Sequence, residues 1–326
     1  MWLRGLALFV SLVFWAPGPA SAQQAGLPTI GFLSGAASGP FAHLVAAFGE
    51  GLASMGYVDG RNVRIEFRWA DGEYERLPKL AAELVALDVD VIVTSGGDRP
   101  TIAAKDATAE IPIVFVGSDA PVALGFVESL NQPGRNLTGG SVFTSEVEVK
   151  KLELLYETAP TASTIAMLVN PNNPMAETDT LAIAEAAQSM GLEIEVHHAT
   201  DAASIEAALS AIADKRPDAL LVGHDPYFNS QRQQIVALVD PLGIPAIYEH
   251  RAFVQAGGLM SYGNIIDDNY RIAGEYAGRI LSGATPAELP VRQATRFELM
   301  INLATAERIG LDIPASVLIR ADEILE

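Results

Sequence analysis

The amino-acid sequence predicts an α/β protein built of two doubly wound, Rossmann-like lobes joined by a three-crossing hinge. Three observations carry this expectation. From Leu27 onward, short apolar runs that suit buried strands alternate with helical stretches in two successive rounds, an order that specifies parallel sheets covered by helices on both faces. The runs end in turns rich in Gly, Ser, Asp or Pro, the residues that strand-to-helix connections favour. A further strand and helix between Gly258 and Gly283 exceed what the second round needs, so the chain is expected to return to the first lobe before it finishes on the second.

In the first round the strand candidates are 29–33, 63–69, 89–94 and 113–116. The helices between them are expected from Pro40 to Met55, Glu73 to Leu87 and Pro100 to Ala109. Pro100 suits a first helical position, where a missing N–H costs nothing. After Gly139-Gly140 the second round reads as helix 146–158, strand 164–169, helix 174–190, strand 193–197, helix 202–215, strand 219–222, helix 230–242 and strand 244–248. The extra section contributes strand 259–262 and helix 267–281, and the tail contributes a helix from Ile301 to Gly310. The expected lobes are therefore residues 27–140 with 258–290, and 141–257 with 291–326. Hinge segments are placed near Gly139-Gly140, Gly257-Gly258 and Pro290.

Composition narrows the function. The chain has 326 residues, 49% of them apolar, with 40 Asp plus Glu against 21 Lys plus Arg and a formal charge of −19. That acidic balance works against a nucleic-acid partner, whose phosphates require Lys and Arg. With no cysteine in the sequence, disulfides, thiolate metal sites, a cysteine nucleophile and a lipid-modified N-terminal cysteine are excluded. Residues 1–22 read as a secretory signal peptide: Arg4 supplies the positive start, Leu6 to Ala16 is apolar, and Ala20-Ser21-Ala22 is a small-x-small cleavage pattern. The apolar run is too short for a bilayer, which needs about 20 residues. Export without a lipid anchor points to a soluble protein of a bacterial periplasm.

In doubly wound sheets the residues just after each strand face the ligand crevice. In the first lobe these are Ser34-Gly35-Ala36, Thr94-Ser95-Gly96-Gly97 and Gly117-Ser118-Asp119, with Thr144-Ser145 at the first crossing. In the second they are Asn170 to Asn173, Gly223-His224-Asp225-Pro226 and Glu249-His250-Arg251. Small residues at Ser95 to Gly97 let a ligand reach backbone N–H groups at a helix start, where an anion is favoured. Asp119, Asp225 and Glu249 are candidate acceptors for a ligand ammonium or hydroxyl, and Arg251 for a ligand carboxylate. Tyr262, Tyr248 and Trp69 could stack on a flat ligand, although aromatic residues at strand ends also serve as core packing. Ordinary turn, cap and salt-bridge chemistry is the competing reading for these residues.

Enzyme, metal and cofactor readings find little support. The sequence has no nucleophile elbow, Walker loop, His-Glu-x-x-His zinc motif or dinucleotide fingerprint after a strand. An exported α/β enzyme using His224, Asp225 and Glu249 is the remaining catalytic alternative.

Five segments, residues 55–62, 133–139, 225–230, 256–263 and 296–302, the last reading Arg-Phe-Glu-Leu-Met-Ile-Asn, resemble the periplasmic substrate-binding proteins of ABC transporters. Within that family they are similar to the branch with tryptophan- and tyrosine-binding members. The resemblance runs from about Pro28 to Glu326 and implies a type I periplasmic-binding fold. It further implies a non-enzymatic monomer, without cofactor, that clamps a small polar or aromatic solute and hands it to an inner-membrane ABC permease. A sensory protein serving a membrane receptor is the alternative within the same fold. By the same resemblance, Ser34, Thr94, Ser95, Thr144 and Ser145 would hold a ligand carboxylate, and Asp119, Asp225 and Asn172 its amino group or other polar atoms.

Overall fold

The computed structural model describes residues 26–142 and 144–326, so the expected signal peptide at 1–22 lies outside the described residues. The first round consists of β1 (Thr29–Ser34), α1 (Ser38–Ser54), β2 (Arg64–Trp69), α2 (Leu77–Ala86), β3 (Val91–Ser95), α3 (Asp98–Ala107), β4 (Ile113–Ser118) and β5 (Leu137–Ser141). The second consists of α4 (Thr144–Thr158), β6 (Thr164–Val169), α5 (Ala176–Met190), β7 (Glu193–His198), α6 (Ala202–Lys215), β8 (Ala219–Val222), α7 (Pro226–Ser230), α8 (Arg232–Val239), β9 (Ala246–Tyr248), α9 (Arg251–Gln255) and β10 (Met260–Asn264). The chain ends with α10 (Ile266–Leu281), β11 (Arg292–Gln293), β12 (Phe297–Asn302), α11 (Leu303–Arg308), α12 (Ala315–Leu318) and β13 (Glu323–Leu325).

Among the described residues the strands form two sheets, ordered β2-β1-β3-β4-β5-β11 and β7-β6-β8-β9-β10-β12-β13. The pairings are parallel except for β10 with β12. In each sheet the strand order reverses once, between β1 and β3 and between β6 and β8, and such switch points open a crevice at the strand C-terminal ends. Side-chain alternation explains the two-sided burial. Ile30 and Phe32 of β1 pack under α1 and α10 with Phe48 and Tyr270, while Leu33 faces α2 with Leu77 and Leu84. In the second sheet Ile165 and Met167 pack with Leu155 and Ile183, while Ala166 and Leu168 face Ile205, Leu209 and Phe228.

Three expectations are corrected here. The strand expected at 259–262 exists as β10 but belongs to the second sheet, in register with β9 through Met260 opposite Ile247. The short α9 returns the chain beside β9, so β10 takes the open edge next to it. The following helix does go to the first lobe, where α10 packs on α1. The chain therefore crosses three times, between β5 and α4, between β10 and α10, and between β11 and β12. Only the first crossing lies near its expected place, because β11 pairs with β5 in the first sheet rather than starting the second lobe's tail. The tail begins as strand β12 where a helix from Ile301 was expected, and the helix that follows is confined to 303–308. The sequence expectation also lacked β5, whose Leu-Thr-Gly-Gly-Ser composition carries no strand signature.

The α1–α10 contact depends on glycine. A Cβ on Gly274 would collide with the Phe48 carbonyl and come within 2.6 Å of the Leu52 nitrogen. Both obstacles are backbone and cannot rotate away. Gly274→Ala is expected to destabilise the protein by about 1–3 kcal/mol through overpacking, despite alanine's higher helix propensity. Urea unfolding of the variant checks this, and a gain in stability would mean that the helices can separate freely.

Candidate functional site

The two switch points face each other, and the turns that leave them build a cavity between the lobes. On the first-lobe side, Gly35 N–H donates to the Ser95 carbonyl at 3.0 Å, which ties the β1 and β3 turns together. Gly96 and Gly97 have φ of +73° and +88°, a left-handed backbone that glycine adopts without strain. The approach is also too close for a side chain, since a Cβ on Gly96 would lie 2.8 Å from the Ala36 nitrogen.

The cavity wall combines an apolar part and a polar part. Phe41 of α1, Val116 of β4, Val142, Pro226 of α7, and Ile266 and Tyr270 of α10 supply the apolar surface. Gly96, Gly97, His224, Asn229, Glu249, His250, Asn264 and Asn269 supply the polar one. Asn229, His250, Asn264 and Ile266 also border a broad polar groove along the side of both lobes, so the cavity and the groove are continuous there. The lobes touch across the cleft. Arg99 Nε donates to the Asn172 carbonyl at 2.8 Å, and Pro226 lies against Gly97.

The charged centre of the site is His224, at the end of β8. Its Nδ1 is 2.5 Å from Glu249 Oε1 in the same lobe, and its Nε2 is 3.7 Å from Asp119 Oδ2 in the other. Glu249 also reaches His250 Nε2 at 3.2 Å. Burial alone would lower the His224 pKa, but the carboxylates of Glu249 and Asp119 outweigh it and hold the imidazole well above its ordinary value. Burial likewise opposes ionisation of Glu249, yet His224 and His250 keep its carboxyl well below the usual range. Asp98, in the first turn of α3, is pushed up to about 7 by burial and by the charge of Asp119. Behind His224, the fully buried Glu148 and Lys151 of α4 pair at 2.6 Å, and Lys151 Nζ donates to the Val222 carbonyl at 2.9 Å. Burial raises Glu148 to about 7.

The expected site residues divide by position. Gly96 and Glu249 line the cavity, and Asp119 stands beside it against His224. Ser34, Gly35 and Ser95 shape the turn at its floor, where Ser95 faces the phenol of Tyr270. The others are engaged elsewhere. The Thr94 hydroxyl pairs with Thr101 at 2.7 Å inside the first lobe. Ser145 donates to Asp179 at 2.6 Å, and the Thr144 side chain lies outside the described residues. Asn172 is exposed and contributes its carbonyl to the cross-lobe contact. Asp225 caps α7, accepting from the Tyr227 and Phe228 N–H groups and from Asn170, and burial pushes it up to about 6. Asp225 is thus engaged in capping and acts on His224 through its charge, while the close partners of the imidazole are Glu249 and Asp119. Tyr262, on β10, stacks on Phe297 and packs against the second-lobe core. Arg251 pairs with Glu298 and Glu323.

Sequence reasoning did not single out Phe41, Asn229, Asn264, Asn269 and Tyr270, which line the cavity. All but Asn264 sit on helices, and helical periodicity does not tell which helix start faces the opposite lobe. Among the described residues no His, Asp and Glu group has a metal-holding arrangement, and no helix is long and apolar enough to cross a membrane.

Comparison with known proteins agrees with this architecture. Residues 37–325 match the model of the family described as ABC transporter substrate binding protein. The tyrosine-binding protein of Clostridioides difficile is 26% identical over 264 residues, which cover 81% of this chain and 75% of that one. The ABC domain of Streptococcus pneumoniae solved in complex with L-Trp is 25% identical and superposes with a TM-score of 0.83, over 91% of this chain and 99% of that one. A conserved domain protein from Vibrio cholerae, 26% identical, gives 0.84 with the same coverage. Two doubly wound lobes, three crossings and an interlobe cavity are the type I periplasmic-binding fold, and the chain belongs to the ABC transporter substrate-binding protein family.

Proposed function

We propose that this protein is the extracytoplasmic receptor of an ABC importer, closing its lobes on an amino acid with an aromatic side chain and delivering it to a membrane permease. The observation that carries this reading is the interlobe cavity, which receives both apolar and polar wall from each lobe. The apolar part, with Phe41 and Tyr270, suits a ring, and the polar part suits the charged groups of an amino acid. Two relatives support the choice, one named for tyrosine and one solved with L-Trp. Because neither lobe completes the site alone, ligand binds the closed arrangement better than the open one, and that differential affinity sets the closed population. The permease then reads closure from the surface edges of both lobes. Export through the 1–22 leader, a periplasmic location, a monomeric state and the lack of turnover belong to the same proposal.

Thermal unfolding of residues 23–326 with tyrosine and tryptophan, after stripping any carried-over ligand by refolding, tests the reading. Ligand at about a thousand times its dissociation constant is expected to stabilise by roughly 4 kcal/mol, a rise of several degrees or more. No shift with any aromatic amino acid would remove the ligand assignment, and a shift with sugars or organic acids alone would redirect it.

A further inference from the structure

The buried polar atoms around the cavity are unevenly satisfied. Asn229, in α7 of the second lobe, and Asn269, in the first turn of α10 on the first lobe, both line the cavity, and they are 6% and 2% exposed. The side-chain oxygen of each has no hydrogen-bond donor among the described residues. Native structures tolerate few such atoms, because a buried acceptor left unpaired forfeits its hydration. Two of them, from opposite lobes and on one cavity, mark a place where the donor arrives with the ligand.

The charge around them has a definite sign. Glu249 lines the same cavity, whereas no Lys or Arg among the described residues does. The buried cation nearby, Lys151, is occupied by Glu148 and the Val222 carbonyl. His224 is held between Glu249 and Asp119, and His250 faces the second oxygen of Glu249. Asp98, Glu148, Asp179 and Asp225 also act on this centre. Carboxyl groups therefore outnumber the imidazoles and Lys151 there, with Glu249 kept ionised by its two imidazoles and Asp98, Glu148 and Asp225 raised by burial towards neutrality.

We propose that the ligand presents a protonated amine to the polar wall of the cavity, and that Asn229 and Asn269 accept its N–H groups, one from each lobe. An ammonium has three donors and no acceptor, which complements two orphaned amide oxygens beside a carboxylate. The amine thereby becomes the group that bridges the lobes. A ligand carboxylate, by contrast, meets no Lys or Arg among the described lining residues, and the imidazoles there, His224 and His250, are already engaged by Glu249. This inference rests on the solute-binding reading and narrows it: the amine is obligatory and the carboxylate accessory.

The test is isothermal titration of the refolded mature chain with tryptophan and with two pairs of analogues. Tryptamine and tryptophanamide keep the amine and lose the carboxylate charge, while indole-3-propionate and N-acetyltryptophan do the reverse. Loss of the charged amine is expected to weaken binding at least about 100-fold, since a site built to bond a ligand N–H rejects analogues without it. Loss of the carboxylate is expected to cost less than about tenfold, the scale of one neutral hydrogen bond. Asn229→Leu and Asn269→Leu should each weaken the amine ligands while sparing what binding indole-3-propionate has, and Asn269→Asp should retain the amine ligands. Circular dichroism and thermal unfolding confirm that each variant folds. Equal or tighter binding of the deaminated acid overturns the amine seat and leaves the solute-binding reading standing. If no indole compound binds, a screen of primary amines, sugars and organic acids decides: a hit confined to compounds without an amine overturns the seat alone, a hit among amines supports it, and silence throughout overturns both.

Discussion

Replacing Lys151 with methionine is expected to destabilise the protein by about 3–5 kcal/mol, because it leaves the Glu148 carboxylate buried without its counter-charge. Both side chains are fully buried and 2.6 Å apart in the native pair. Lys151 also ties α4 to the end of β8 through the Val222 carbonyl, so its loss loosens the strand edge that carries His224. The pH dependence of the deficit has a definite sign. Burial already raises Glu148 to about 7 with Lys151 present, and removing the ammonium raises it further. The variant is then weakest above that range, where the carboxyl must stay protonated against the solution or ionise unpaired. Its deficit shrinks on acidification towards pH 5, where a neutral carboxyl needs no partner. The double variant Glu148→Leu with Lys151→Met should recover most of the loss, since well-packed apolar pairs replace buried ion pairs at little cost. Urea unfolding of the single and double variants across pH measures this, and a single variant as stable as the parent at pH 8 would show that the pair carries no such burden.

Asp119→Asn is expected to weaken ligand binding about tenfold to a hundredfold while leaving the fold in place. Asp119 belongs to the first lobe and His224 to the second, with 3.7 Å between their charged atoms. The Coulomb attraction at that distance is about 4 kcal/mol at an effective dielectric of 20, of which desolvation leaves roughly 1.5–3 kcal/mol. Glu249 belongs to the same lobe as His224, so the contribution expected to change with closure is that of Asp119. The carboxylates hold the His224 proton more tightly than its ordinary value in this arrangement, so closing the lobes is expected to take up protons. Ligand affinity should be fully developed below the ordinary histidine pKa of about 6.5 and should fall as pH rises through the closed-state value. In Asp119→Asn that decline should flatten. Titration in buffers of different ionisation enthalpy counts the protons directly, and equal uptake by the parent and the variant would exclude Asp119 from the link.

Much of the fold was legible in the chain because buried parallel strands and amphipathic helices leave strong local patterns. The runs at 29–33 and 164–169 are apolar enough to specify strands wherever they lie, and the turns after β1, β3 and β8 have the small residues that a switch point needs. β5 was missed because its middle is Thr-Gly-Gly, and its pairing comes from the open edge of β4. β10 was assigned to the wrong lobe because nothing in Met-Ser-Tyr-Gly-Asn says which of two open sheet edges it will join.

The site was legible to the extent that it is made of strand-end turns. Gly96, Asp119 and Glu249 stand where the topology rule places them, whereas Thr94, Ser145 and Asp225 satisfy neighbours in their own lobes. A hydroxyl or carboxylate in a turn has the same sequence signature whether it caps a helix or waits for a ligand. Local composition and periodicity therefore determined the class of fold, the two-round plan and the absence of cysteine chemistry. Tertiary structure alone decided that His224 meets Asp119 across the cleft, that Asn229 and Asn269 converge on one cavity, and that the third crossing follows β11. Those outcomes depend on which surfaces of two separately folded lobes come together, and residues far apart in the chain carry no local signal of that meeting.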